Sequence, residues 1–300
     1  MRVLHRYLTF SKNAKLNRLL NKLQIAFKEE EKSLGEGVSY YALEFFLYED
    51  DPDFNAKSKQ VNQFKIDPQI GTEFSEEDEE SADWFMISTG QFGYPQPEDN
   101  YFELTYANDN VCRQCQIGKK QINPFRFRSE PKAKHSQFLG LNWVFDEIFV
   151  RERAIELFET EKVTGIRYSS PILNKTKEPL VTIRQLHVDT ILSPGLITDN
   201  LNFEVCRKPT DKKQIKFIEK NNPGFLERDF CGQIKFNYPM RGAMTLKKEL
   251  LDHQPDFVRT YEWFGSGGSA ERPILVSKRV RQMILQEKLR GAFFRPVFLV

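Results

Sequence analysis

Three hundred residues suggest about two domains of ~150 residues each. Apolar residues at 40% and charged residues at 29% form a globular balance that excludes a disordered chain, and 26 Phe with 10 Tyr can supply a sizeable core. The longest apolar runs fall far short of the ~20 residues of a membrane span. MRVLHRYLTF runs into SKNAKLNRLL with neither an apolar h-region nor a small-residue cleavage site, so the expectation is a cytoplasmic protein without a membrane segment. The net charge of +2 conceals a segregation. Residues 44–109 hold 17 Asp/Glu against three lysines (Lys57, Lys59, Lys65), a local −14, which leaves +16 on the rest. Such asymmetry points to a charged partner, to contacts between the two halves, or to a solvated acidic face.

In residues 14–34, Leu16, Leu19, Leu20, Leu23 and Phe27 recur at the spacing of one helical face, which predicts a single amphipathic helix. VSYYALEFFLY (38–48), bounded by Gly37 and an aspartate-rich stretch, reads as a strand. An acidic loop, densest at Glu76, Glu77, Asp78, Glu79 and Glu80, ends at the apolar WFMIS, a further strand. A loop with Gly90, Gly93, Pro95 and Pro97 precedes the alternating YFELTY. Residues 1–110 therefore read as a small α+β unit.

The charge turns basic near residue 111. Lys119, Lys120, Arg126, Arg128, Lys132 and Lys134 are interleaved with Phe125 and Phe127, which suits either a grip on nucleic acid or a half-buried strand with one wet face. Residues 146–173 then align without a gap on residues 272–299, with Ile148/Ile274, Val150/Val276, Arg153/Arg279, Glu161/Glu287, Lys162/Lys288 and Gly165/Gly291 identical. Val150, Ala154, Leu157 and Phe158 match Val276, Val280, Met283 and Ile284, one helix face in each copy. Ser277 is placed to cap the second helix, and Gly165 and Gly291 to stop each helix in a left-handed conformation. Short strands, IRYSS and AFFRP, follow. Two copies of strand–helix–Gly–strand predict a duplicated lobe rather than a solenoid, which needs at least three repeats. Between the copies, TIRQLHV reads as a strand, LSPGL and Asn-Asn-Pro-Gly as turns, TLKKELLDH as a short helix and GSGGS as a linker. The fold class expected is α+β, with domains at 1–110 and 111–300.

Cys112-Arg-Gln-Cys115 is a CxxC, which in an intracellular chain means zinc, a redox pair or unmetallated thiols. A structural Zn²⁺ takes four thiolate or imidazole ligands, and Cys112, Cys115, Cys206 and Cys231 are all the cysteines there are, although Cys206 and Cys231 stand 25 apart. No thioredoxin-like unit surrounds the pair. His5, His135, His187 and His253 show no metal-binding spacing, and His187 reads as a hydrogen-bonded core histidine. There is no GxSxG, Walker loop or GxGxxG, and Asp252, Asp256 and Glu262 form only a weak candidate for a metal-nuclease cluster. The sequence offers no catalytic residue.

Over residues 110–300 the order of these features resembles the double-CXXCG proteins, bacterial immunity proteins paired with polymorphic toxins. A CxxC is followed by a strand–helix–Gly–strand unit, a strand such as TIRQLHV, a Pro-Gly turn, a second cysteine-glycine motif, Asp256-Phe257-Val258-Arg259 and a second strand–helix–Gly–strand unit. Two departures stand out: Gln116 replaces the glycine of the first motif, and the second reads Arg228-Asp-Phe-Cys231-Gly232 without its first cysteine, for which Cys206 is the available substitute. The resemblance implies a non-enzymatic protein that neutralises a cognate toxin by stoichiometric occlusion, with structural zinc on four thiols. From charge, the expected partner surface is Glu76, Glu77, Asp78, Glu79, Glu80, Asp83, Trp84, Tyr94 and Tyr101. The alternative is a nucleic-acid-binding zinc module of a defence system, using the basic residues beside Cys115.

Overall fold

The computed structural model describes residues 1–35, 38–132, 135–199 and 201–300; Gly37 and Lys134 lie outside them. It is an α+β protein. The chain forms two compact units, Met1–Ser81 with Pro239–Ala243, and Ala82–Tyr238 with Met244–Val300.

The first unit runs β1 (Arg2–Thr9), α1 (Ala14–Lys22), β2 (Phe27–Gly35), β3 (Val38–Tyr48), α2 (Phe54–Val61), β4 (Gln69–Glu73) and α3 (Glu76–Ser81). Its sheet has the order β2-β3-β1-β4, antiparallel throughout. Tyr7 stands opposite Phe45 and stacks on it at 4.8 Å, and with Leu16, Leu20, Leu43 and Val61 this pair fills the core. The single helix expected over 14–34 is half helix and half strand. Helix α1 stops at Leu23, whose N–H closes on Leu19, and Gln24 takes a left-handed φ of 54°. Phe27 then enters the same core from β2. A strand residue pointing into the core its helix has just lined therefore continues the helical spacing. The returning segment Pro239–Ala243 is tied in by Thr72, whose hydroxyl donates to the Met240 carbonyl at 3.1 Å, and by Arg241, which donates to Glu49 at 2.7 Å.

The second unit contains β5 (Trp84–Thr89), α4 (Tyr101–Thr105), β6 (Arg126–Phe127), β7 (Phe138–Leu141), β8 (Val144–Val150), α5 (Glu152–Thr160), β9 (Ile166–Ser169), β10 (Ile172–Leu173) and β11 (Arg184–Val188). It continues with β12 (Phe203–Val205), α6 (Lys212–Asn221), β13 (Ile234–Phe236), β14 (Met244–Leu246), β15 (Phe257–Arg259), β16 (Ile274–Ser277), α7 (Lys278–Gln286) and β17 (Ala292–Leu299). The unit boundary falls after Ser81 rather than after residue 110. The reason is β5, whose Trp84, Phe85 and Ile87 are buried at the centre of a five-stranded sheet of order β14-β17-β5-β16-β15. YFELTY forms the short helix α4 rather than an alternating strand, burying Tyr101 and Thr105 on one side. TLKKELLDH contributes the end of β14 and a 3₁₀ turn at Lys248–Leu250, not a helix.

Segments 146–173 and 272–299 carry helices of equal length at equal positions, α5 and α7, each between two strands. In the four-stranded sheet β7-β8-β11-β9, Ile148 and Tyr168 both face Leu186; in the five-stranded sheet, Ile274 and Phe294 both face Ile87. The two segments contact each other directly. Arg153 donates to the Glu287 carbonyl at 2.9 Å, and Arg279 donates to that of Glu161. Their helices share one core, in which Phe158 meets Phe138 and Phe257 at ring distances of 6.1 and 5.7 Å. The left-handed stop after each helix falls on Lys162 and Lys288, both at φ 53°, and not on the glycines. Val163 and Leu289 complete the caps by donating back to Phe158 and Ile284. Gly165 and Gly291 serve instead where strands cross: a Cβ there would strike the carbonyl oxygen of Phe257 or Phe138, besides straining φ values of 83° and 100°. Ser277 caps α7 as expected, accepting from Val280 N–H at 3.4 Å.

Candidate metal centre

Four cysteines arrive at one point from separate loops of the second unit. Cys112 and Cys115 share a tight turn, in which Gln116 N–H donates to the Cys112 carbonyl at 2.7 Å and Cys112 N–H to that of Ile117 at 2.9 Å. Cys206 directly follows β12, and Cys231 precedes β13. Those strands are antiparallel with Val205 opposite Ile234. Cys206 then bonds across to Gln233 and Gly232, both at 2.9 Å. A ladder thus juxtaposes two cysteines that are 25 residues apart in the chain.

All four sulfurs lie within 4.8 Å of one another, with Cys112–Cys206 at 3.6 Å and Cys115–Cys231 at 3.7 Å. A disulfide requires ~2.05 Å. A tetrahedron of ~2.3 Å metal–sulfur bonds has edges of ~3.8 Å. The cysteines are free, and their spacing is that of ligands around one ion. Among the described residues they are the one group of three or more His, Cys, Asp or Glu drawn together in this way. Burial opposes the Cys112 thiolate, but N–H groups of Cys115 and Gln114 donate to it and bring its pKa down to about 7. Burial pushes the Cys115 and Cys206 thiols up, so their deprotonation calls for a positive charge between them. Four thiolates fill a tetrahedron and leave no position for water, the arrangement of a structural site.

The other candidates of the sequence are dispersed. Asp256 accepts from Thr164 at 3.0 Å and from Ser277 at 2.8 Å, whereas Glu262 accepts from Gly195 and Leu196 N–H at 2.9 and 3.0 Å. Both carboxylates are therefore committed to backbone and caps rather than to a nuclease cluster. His187 is half-buried in β11 with Nε2 2.6 Å from the Ser169 hydroxyl, and burial lowers its pKa to about 4. Phe125 and Phe127 are buried, Arg126 is partly buried and Arg128 is exposed, so the basic–aromatic stretch is a half-buried strand with neither ring free to stack on a base. GSGGS is an acceptor rather than a linker: the buried Lys235 ammonium donates to the Gly267 and Ser269 carbonyls.

The expected partner surface is divided between the two units. On α3, Glu76, Glu77 and Glu80 are exposed, Glu79 is partly so, and Asp78 is held 2.5 Å from the N-terminal amine. In the second unit Asp83 and Tyr94 are exposed, but Trp84 and Tyr101 are buried at 8% and 9% exposure and cannot serve as anchors. Their aromatic rings complete cores instead. Trp143 and Phe145, absent from the sequence reading, are about half exposed, and Trp143 packs on Tyr94 at 4.7 Å. Trp143 sits at the β7–β8 turn with φ 65°, a conformation costly for a bulky side chain.

Sequence reasoning also missed a buried charge network. Asp146 is held by Lys119 at 2.8 Å and Arg259 at 3.6 Å, and Glu147 by Arg259 at 3.2 Å and Gln185 at 2.9 Å. The signal was present in VFDEIFV, where adjacent acids interrupt an otherwise apolar strand. Nearby, burial raises the Glu271 pKa to about 7, against the hydrogen bond donated by Tyr238 at 2.6 Å.

Comparison with known proteins finds no matching family model and no matching curated sequence.

Two outcomes follow from this geometry. Native mass spectrometry of the intact chain should show one metal ion per chain, absent from Cys206→Ser; a metal-free wild type, or full retention by the variant, contradicts a four-thiol site. Glu271 gives a pH dependence of stability. Its carboxyl stays protonated in the folded state up to about pH 7, whereas in the unfolded chain it ionises near its usual ~4.3. Folding stability should therefore fall as pH rises through that window, by up to about 3 kcal/mol, and then level off. Unfolding midpoints of Glu271→Gln between pH 5 and 8 should decline less than those of the wild type, and parallel profiles would refute this.

Proposed function

We propose that the chain is a non-enzymatic, immunity-like protein of a bacterial cytoplasm that neutralises a cognate protein toxin by stoichiometric occlusion, and that a structural zinc ion braces it. The observation that carries this reading is the meeting of Cys206 with Cys112, Cys115 and Cys231. The second cysteine motif lacks its first thiol, and the proximity of Cys206 to the other three supports its replacing that thiol in the four-thiol set the resemblance implies. A saturated thiolate set favours zinc, which adds neither redox chemistry nor an open coordination position. The chemistry supports a scaffold.

An inhibitor needs charge for steering and a few aromatic anchors for residence. Exposed Glu76, Glu77 and Glu80 on α3 suit the first role toward a basic toxin. Tyr94 with Trp143 suits the second. In the rival reading, retention on nucleic acid would fall steeply with salt, but Lys119 is occupied by Asp146 and the two phenylalanines are buried.

The chain purified from its own host should carry a one-to-one protein partner whose expression alone stops growth and whose toxicity this chain relieves. Trp143→Ala should weaken that complex at least tenfold, and Glu76→Lys with Glu77→Lys and Glu80→Lys should slow its association at low salt. A partner without toxicity, or toxicity this chain leaves unrelieved, overturns the proposal.

A further inference from the structure

A cavity of about 600 Å³ opens in the second unit beside the metal centre, one wall being the stretch from Ile117 to Gln121 that continues the Cys112–Cys115 turn. Its size is that of a small-molecule site. Its floor is the buried charge network, with the Asp146, Glu147 and Arg259 side chains 4%, 9% and 11% exposed. Burying charges costs several kcal/mol per ion unless they are paired, so a network at the bottom of an open cavity is an investment that packing alone does not explain.

The charges on the wall are not balanced. The three carboxylates are all engaged: Asp146 and Glu147 within the network, and Asp189 with Arg167 at 2.5 Å. Two cations are left over. Among the described residues neither Lys120 nor Arg272 has an ion pair. Lys120 is exposed at the mouth. Arg272 is half-buried, its guanidinium carbon 4.4 Å from the Trp263 ring centroid and 5.7 Å from that of Tyr261, and its Nε is buried without a hydrogen-bond partner. These aromatic contacts hold the guanidinium in the cavity wall, of which Arg272 is a lining residue. A buried donor without a partner is costly, and an oxyanion is the group that a planar guanidinium binds through two parallel bonds.

We propose that this cavity is a binding site for a small oxyanion, a phosphoryl or carboxylate group, received by Arg272 with Lys120 at the entrance. The excess of cations concentrates anions there, and the apolar faces of Trp263 and Ile191 leave room for a small uncharged remainder. Ligand binding here does not depend on the toxin-neutralising reading.

Isothermal titration calorimetry of the full metal-loaded chain, at low chloride, with inorganic phosphate and with succinate as probes, tests the site. At least one probe should bind one-to-one; tighter phosphate assigns a phosphoryl ligand, tighter succinate a carboxylate. Arg272→Gln should weaken binding at least tenfold while metal content stays at the wild-type value, because Arg272 is not among the thiol ligands. Arg272→Lys keeps the charge without the fork and should fall between the two. Absence of heat from both probes up to about 10 mM, or equal affinity in Arg272→Gln, overturns the proposal.

Discussion

The segment between β12 and β13 is pinned at its two ends by Cys206 and Cys231, and at its middle by Gln114, which donates to the Phe225 carbonyl at 2.7 Å. The intervening stretch contains α6, which buries no side chain, and a 3₁₀ turn that buries none either. The apolar cluster around the thiols is small: Ile117 and Ala270, with Phe230 and Trp263 partly buried. Ordering a chain segment costs ~1–2 kcal/mol per residue in backbone entropy alone. So little apolar surface does not meet that cost. One ion held by four thiolates from three loops would, because structural metal sites contribute folding energy outright. Lys235 adds a second fastening, its buried ammonium donating to the carbonyls of the glycine loop.

The body that carries this centre needs no such help. Residues 146–173 and 272–299 contribute to one core and exchange two arginine–carbonyl contacts. The glycines at 165 and 291 belong to that arrangement as close-approach positions, where a side chain would push apart a strand of the other lobe. The consequence for function is a stiff frame from which the cysteine loops, the charged cavity and the exposed Trp143 all project.

Much of this was legible in the residues, for identifiable reasons. The strand assignments for β3, β5 and β11 and the cap at Ser277 rest on local pattern, and local pattern decides them. The four cysteines were nameable because no others exist, but their convergence is set by strand pairing between β12 and β13, which spacing does not encode. Where a single periodicity spanned two elements the reading failed: Phe27 fits the helical face of α1 only because β2 returns it to the same core. Trp84 and Tyr101 were assigned to a surface on charge context, yet aromatic size favoured burial. The Asp146–Glu147 pair had a visible signal in its apolar surroundings and was passed over.

The account turns on the coordination of that single ion, which X-ray absorption at the zinc edge reads directly. The prediction is a shell of four sulfur scatterers at about 2.3 Å with no nitrogen or oxygen neighbour. A mixed shell, a three-sulfur shell with a light-atom ligand, or no zinc edge from the purified chain would contradict it. Any of these would leave the segment between β12 and β13 without the constraint that holds it.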